Sequence, residues 1–394
     1  MNIWKLSWKN IWAKPLNTFM SVLLLALAIG MISMLLHVDN SFQKKIERNI
    51  AGIDMVVGAK GSPLQLILAS IFHVDNPTGN IDLIELGKLK KNRVVESAIP
   101  LSYGDNYRGF RIVGTTLEYP EVYGAELVSG DYFTEVMEVV IGAKVARDLG
   151  LKVGDEFLSM HGFQDVGEEH GDHPFTVKGV LAYSNSVVDQ LILTNLESIW
   201  HVHEYEGAEE DTSPKQITSI LVNFSGPMGL IRMPRAINDN TNMQAAVVSF
   251  EVSRLMGLLG VGTDIIGALG LVLILVSAIS IFISLYTAIN ERKYEMALMR
   301  TYGAGISRLS FLVILEAIFI TLLGFVFGVT LSRIGLILMS EALSESFHFG
   351  LEFIPFLPSE TGLLIGALAI GFFAGLLPAY KATRVVISET LSEG

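Results

Sequence analysis

The sequence predicts a membrane α-helical fold, with four transmembrane helices and a large α+β extracytoplasmic domain between helices 1 and 2. Three observations predict it. Hydrophobic residues fill 51% of the 394 positions and mean hydropathy is +0.48, too apolar for an ordinary soluble domain, yet 17% of residues are charged. Four apolar runs, Phe19 to Leu36, Ile265 to Ile289, Leu309 to Leu331 and Gly362 to Leu377, are each long enough to cross most of a hydrocarbon core at about 1.5 Å per residue. Between the first two runs, strand-like alternation, helical spacing and turn residues follow one another, the texture of a soluble domain.

The charge is as uneven as the hydropathy. From Asp39 to Gly260 there are 18 Lys and Arg against 30 Asp and Glu, a net of −12, while 10 and 10 balance in the rest. An acidic domain apart from basic membrane flanks argues against nucleic acid as a partner. Cysteine is absent, which excludes a disulfide framework and thiolate metal ligation.

Residues 1–16, MNIWKLSWKNIWAKPL, predict an interfacial amphipathic helix: Trp4, Trp8 and Trp12 fall four apart among Lys5, Lys9 and Lys14, so one stripe of indoles suits the headgroup region. Residues 17–38 form transmembrane helix 1. Ala26-Leu27-Ala28 has the form of a signal-peptide cleavage site, but it lies inside the apolar run, so an uncleaved span is expected.

Residues 39–260 are the extracytoplasmic domain. SFQKKIERNIAGI continues the first helix out of the membrane, and Met55 to Val57 is a short strand. Leu64, Ile67, Leu68 and Ile71 fall at helical spacing, stopped by Asn76-Pro77-Thr78-Gly79. FRIVGTT from Phe110, Val139 to Ile141, PFTVKGVLAYSN, VVDQLILTNLESI and Ile217 to Phe224 carry strand signals, AKVARDLGL is a helix ended by glycine, and Met243 to Leu259 is expected to be a helix leading into the next span.

The rest of the chain divides into transmembrane helix 2 (261–290), a charged loop (291–305), helix 3 (306–335), an extracytoplasmic loop (336–360), helix 4 (361–380) and a tail (381–394). Arg292, Lys293 and Arg300 in the loop, Arg308 at the start of helix 3, the N-terminal lysines, and Lys381 and Arg384 in the tail all fall on one side, which the positive-inside rule makes cytoplasmic, with both termini there. Ser280 and Ser284, Gly324 and Gly328, and Gly371 and Gly375 are small residues at helical spacing, suited to close helix contacts within or between subunits. Four spans enclose little alone, so an oligomer is expected.

ERKYEMALMRTYGAG (Glu291 to Gly305) is similar to an "ER..EIG..RA.GA" loop and PAYKATRVVISETL to a "P.R.A....P.E.L" tail, while VVIGAKVARDLGLKVGDEFL and FTVKGVL resemble a periplasmic core domain. Together they resemble the MacB/FtsX-type permeases of ABC transporters, the type VII or mechanotransmission class, which includes lipoprotein-releasing and macrolide-efflux systems. LMRT at Leu298 to Thr301 and the missing proline at Val386-Ile387-Ser388 depart from the pattern without disturbing topology.

The resemblance implies a bacterial cytoplasmic (inner) membrane protein and a non-catalytic subunit, with ATP and Mg held by a separate cytoplasmic ABC ATPase dimer. The chain accordingly shows no G-x-x-x-x-G-K-[ST] phosphate loop. It implies that the loop between helices 2 and 3 is a coupling helix seated on the ATPase, with Glu291, Arg292, Glu295 and Arg300 for charged contacts, Met296, Leu298 and Met299 as apolar anchors, and Gly303 closing the helix. It further implies a second permease copy or paralogue. One implied role is export or extraction of a periplasmic or membrane-embedded substrate: a lipid, lipoprotein, peptide, small molecule or metal-related cargo. The other is an FtsX-like regulator that passes ATPase motion to an extracytoplasmic partner, such as a lipoprotein or envelope protein, without transport.

Two features stand apart from the resemblance. Glu316 is an ionisable group within a span, costly enough to mark either a functional site or a helix partner; Arg333 and Asp264, near the outer ends, are expected to snorkel. His161, His170, Asp172 and His173 in MHGFQDVGEEHGDHPF could ligate zinc or a similar divalent ion, but with no helical HExxH and no cysteine a solvated acidic hairpin is the stronger reading.

Overall fold

The computed structural model describes residues 3–159, 174–204, 214–347 and 356–384. The chain forms two compact units, one of residues 1–42 with 259–394 and one of residues 43–258.

The first unit is helical. Helix α1 (Ile3–Trp12) is followed by α2 (Pro15–Ile50), whose last turns belong to the second unit, as expected of a helix that continues past its apolar run. Four helices among the described residues are long and apolar enough to cross a membrane: α2, one over Val248–Glu291, one over Ile306–Phe347 and one over Pro358–Thr383. Leu25, Ile29, Ile281, Leu285, Ala317, Ile320 and Ala367 form their shared core. The glycines set how closely they pack. A Cβ on Gly328 would lie 2.8 Å from the Ala26 carbonyl oxygen and 2.9 Å from Ile29 Cβ, and one on Gly371 would meet the Thr321 side chain at 2.5 Å. Gly328→Val is therefore expected to push two spans apart and cost about 1–3 kcal/mol, read as a lower thermal midpoint of the detergent-solubilised chain.

The second unit is built on a ten-stranded sheet. Its elements in chain order are β1 (Met55–Ala59), α3 (Pro63–Ser70), β2 (Ile81–Asp82), α4 (Ile84–Lys90), β3 (Val95–Tyr107), β4 (Phe110–Gly114), α5 (Glu118–Val122), β5 (Leu127–Gly130), β6 (Glu138–Ile141), α6 (Ala143–Leu149), β7 (Glu156–Phe157), β8 (Phe175–Leu181), β9 (Leu191–Thr194), α7 (Leu196–Glu204), β10 (Gln216–Ile217), β11 (Ser219–Phe224), α8 (Pro227–Asn240) and β12 (Met243–Val247). The sheet runs β12-β1-β11-β3-β4-β9-β6-β8-β5, with β7 on β8, and β10 pairs with β2 apart from it. Most neighbours are antiparallel; β4 with β9 and β6 with β8 are parallel. Two apolar cores lie along it. One gathers Met55, Val57, Ile220, Val222 and Ala245, the other Phe110, Ile112, Val139, Ile141 and Phe175.

Local chemistry explains most boundaries. Ser62 caps α3 by accepting from the Gln65 amide, Pro63 occupies its first turn, and Gly150 ends α6 at φ +70°. Three segments differ from the sequence expectation. Met243–Val247 is a strand because it completes the edge beside β1, with Met55 opposite Val247 and Ala59 opposite Met243, so helix α9 (Val248–Glu291) starts only afterwards. VVDQLILTNLESI splits into a 3-10 turn, β9 and α7, with Asn195 accepting from the Ser198 amide at 2.8 Å to start the helix. The helix of the third span reaches Phe347, through residues assigned to the loop 336–360, since LMSEALSES offers strong helix formers and no proline.

A polar knot sits inside the second unit. His73, in a left-handed backbone conformation at φ +55°, holds Tyr103 Oη and Tyr119 Oη at 2.8 Å from its two ring nitrogens, and the Arg111 guanidinium lies 4.8 Å from the Tyr103 ring centre while donating to the Asp75 carbonyl. Burial first, and the nearby Arg111 second, lower the His73 pKa to about 3.

Candidate functional site

Helices α10 (Lys293–Thr301), α11 (Ile306–Phe347) and α12 (Pro358–Thr383) complete the first unit, and the site is built around α10. The turn at Arg292 breaks the chain away from α9, and α10 ends where Tyr302 caps it and Gly303 takes φ +87°, its amide donating to the Arg300 carbonyl and that of Ala304 to the Met299 carbonyl. Only glycine takes that backbone without strain.

The helix has two faces. Met296 and Ala297 are buried, and Met296 packs with Ile289, Leu309, Val313, Ala379 and Ala382, with Met299 half-buried against the same cluster. Outward stand Tyr294, Glu295, Leu298 and Tyr302, the last 84% exposed. Of the residues singled out from the sequence, Glu295 lies on the open face, Arg300 is half-buried and Gly303 is the stop. Met296 faces inward, where it seats the helix and offers no outward anchor.

Arg292 and Glu291 are also tied down. Arg292 Nη2 donates to the Asn10 carbonyl at 2.7 Å, Asn10 Nδ2 donates to Glu316 Oε1 at 2.5 Å, and Arg292 Nη1 lies 3.6 Å from the same oxygen. Glu291 pairs with Lys14. Glu316, 6% exposed, is thus a helix partner that joins α1, the α9–α10 turn and α11. Ser7 and Ile11 form the buried side of α1, while Trp4 and Trp8 lie edge-on to Phe319 and remain 58% and 43% exposed. The short helix is therefore held by a charged brace whose members come from three parts of the chain.

A second polar cluster lies where α2, α11 and α12 meet. Glu360, wholly buried, accepts two hydrogen bonds from Arg333 Nη2 at 2.8 and 2.7 Å, one from Ser33 Oγ at 2.5 Å and one from the Leu357 amide at 2.9 Å, with His37 Nε2 3.4 Å away. Arg333 does not snorkel: its side chain, 13% exposed, turns inward because a carboxylate on the next helix supplies better partners than the surface. Asp264 is exposed. The cluster escaped the sequence reading because Arg333 and Glu360 lie in different elements; the signal was one ionisable residue on each of three spans at a common depth.

His161, His170, Asp172 and His173 lie outside the described residues. Among the described residues no three His, Asp or Glu side chains converge as a metal site.

Comparison with known proteins adds two family matches and several relatives. The family described as MacB-like periplasmic core domain matches residues 18–228, and that described as FtsX-like permease C-terminal matches residues 267–387. The chain is 21% identical to the pyoverdine export ATP-binding/permease protein PvdT of Pseudomonas putida, over 96% of this chain and 58% of that protein. It therefore spans little more than half the length of that relative. It is 24% identical to the lipoprotein-releasing system transmembrane protein LolC of Xylella fastidiosa, over 94% of this chain and 92% of that one. The crystal structure of the periplasmic region of MacB from Actinobacillus actinomycetemcomitans covers 54% of this chain and 97% of that one, at 16% identity and a TM-score of 0.35.

Proposed function

The chain belongs to the MacB/FtsX-like family of ABC transporter permeases, and from that premise we propose that it is the membrane subunit through which a separate ATPase drives motion of the extracytoplasmic unit. The observation that carries this reading is α10, a short helix with its apolar side sunk into the bundle and a Tyr–Glu–Leu–Tyr face left outward. The braced Arg292–Asn10–Glu316 junction makes it suited to receive force, because a push on α10 is shared with α1 and α11 and not absorbed by a loop.

At the far ends, α2 and α9 are rooted in the second unit. Asn49 Oδ1 accepts from the Val187 amide at 2.9 Å, Arg48 donates to the Asn185 carbonyl, and the Val248 amide donates to the Asp54 carbonyl at 3.0 Å. Both helices run without interruption from the apolar bundle into these anchorages, as transmission of motion requires. Bundle closure then alters the extracytoplasmic unit, and ATP chemistry stays on the partner.

In this reading α10 and both termini are cytoplasmic, the membrane is the bacterial inner membrane, and the substrate is periplasmic or membrane-embedded. The names of the relatives, a pyoverdine export protein and a lipoprotein-releasing system protein, support a substrate at that surface. A second permease copy fits the apolar window of α9, of which 17% is buried within the chain, against 56% for α11.

The test is co-purification. An affinity-tagged chain is expected to bring down an ABC ATPase, and Leu298→Asp combined with Tyr302→Ala to reduce its yield at least about tenfold, the loss of two anchors of a small interface. Equal ATPase recovery with that variant would sink the assignment of α10.

A further inference from the structure

Beside α10, and sharing Tyr302 with its outward face, lies a groove of about 630 Å³ between α1, the α10–α11 turn and the first turns of α11. Ile3, Leu6, Leu309 and Leu312 form its apolar wall, and Tyr302 and Arg308 its polar end. Among the described residues the lining contains one charged side chain, the Arg308 guanidinium, and no carboxylate. Arg308 is exposed and makes no ion pair among the described residues. It stands where α11 passes from Ile306-Ser307-Arg308 into the continuous apolar run that begins at Leu309, one turn from Leu312.

The surroundings fix the depth of this groove in a membrane. Trp4, Trp8 and Trp12 on the adjoining helix are 58%, 43% and 60% exposed, and Lys5 and Lys9 between them are exposed as well. Exposed indoles with interleaved lysines match the headgroup layer, where a ring is half wet and an ammonium meets phosphate. A cavity of this size takes a headgroup with the upper part of one acyl chain, leaving the rest of the chain on the helix surface.

We propose that this groove binds one anionic phospholipid, its phosphate on Arg308 and its acyl chain along Leu6, Leu309 and Leu312. The charge of the site and its apolar floor are both needed, which separates a lipid from a free phosphate. A protein side chain is disfavoured as occupant because the floor continues into the lipid-facing surface of α11, whose Phe311 is exposed. Such a lipid packs against Met299 and Tyr302 at the end of α10, so its occupancy steadies the helix. The proposal goes beyond ATPase coupling and does not depend on it.

Native mass spectrometry of the full chain in detergent, titrated with phosphatidylglycerol or phosphatidylcholine of the same acyl length, tests it. The wild-type chain is expected to prefer phosphatidylglycerol about fivefold, the effect of one well-placed cation at a membrane surface. Arg308→Gln should erase that preference, Ala304→Trp should fill the groove and lower binding of both lipids, and Lys5→Gln with Lys9→Gln should leave the preference in place. Glycerol 3-phosphate should not displace the lipid. Equal affinity for the two lipids, an undiminished preference in Arg308→Gln, or displacement by glycerol 3-phosphate would each overturn the proposal. Arg308 is a surface side chain, so that variant stays informative even where Ala304→Trp fails to fold.

Discussion

Replacing Glu360 by alanine is expected to destabilise the helical unit by about 3–5 kcal/mol, because it removes one partner of an ion pair shielded from water. Arg333 Nη2 gives two bonds to this carboxylate, and Ser33 and the Leu357 amide each lose a bond to it at the same stroke. Inside an apolar bundle no water replaces them. Glu360→Gln keeps the shape and one of the two acceptor oxygens and should fall between wild type and alanine. The pair Arg333→Met with Glu360→Leu should recover most of the loss, since an apolar pair of similar volume carries no unpaired charge. Thermal or denaturant unfolding in detergent, run as a double-mutant cycle, measures all four. Equal damage from the single and double replacements would show that the cluster's worth is not its ion pair.

The second large effect is a pH dependence seated in the extracytoplasmic unit. His73 stays neutral in the folded state because burial holds its pKa at about 3, against 6.5 in an unfolded chain. Between those values the unfolded state binds a proton that the folded state does not, so stability falls as pH drops from about 6.5 toward about 3. The full span corresponds to roughly 5 kcal/mol, an upper bound for a buried group. His73→Asn, which tolerates the left-handed backbone at this position, is expected to flatten the slope by about one proton while lowering stability at neutral pH through the loss of two tyrosine partners. Denaturant melts of wild type and variant at pH 7.5, 6 and 4.5 give the comparison; parallel curves would assign the acid sensitivity elsewhere.

The helical unit was legible because lipid imposes long uniform runs, and the small residues Gly324, Gly328, Gly371 and Gly375 announced close packing that the structure places against Leu25, Ile29, Thr321 and Ala317. The sheet was legible in pieces. Strand β3 was missed because Pro100 and Gly104-Asp105-Asn106 read as breaks, yet Pro100 sits opposite Ile220 and the strand absorbs the irregularity as a register shift between Tyr103 and Asn106. Helix α8 was hidden by Pro227 and Pro234. In the candidate site, the α10 segment could be read from its charges, but which of its residues face inward could not. Amphipathic spacing at Met296 and Met299 is the same whether the helix buries that side in its own bundle or in a partner. Likewise, Glu316 was visible as a costly charge while Asn10, its partner some 300 positions away, carried no signal.

The central claim is that ATPase motion enters at the outward face of α10. The chain contains no cysteine, so single cysteines placed at Leu298 and, as a control on the exposed flank of α12, at Phe373 report without background. With a short thiol-to-amine cross-linker in native membranes, the cysteine at position 298 is expected to capture an ABC ATPase, more when nucleotide is bound, and the one at 373 to capture none. Cross-linking from 373 alone, or from neither position with the ATPase present and active, would contradict the account.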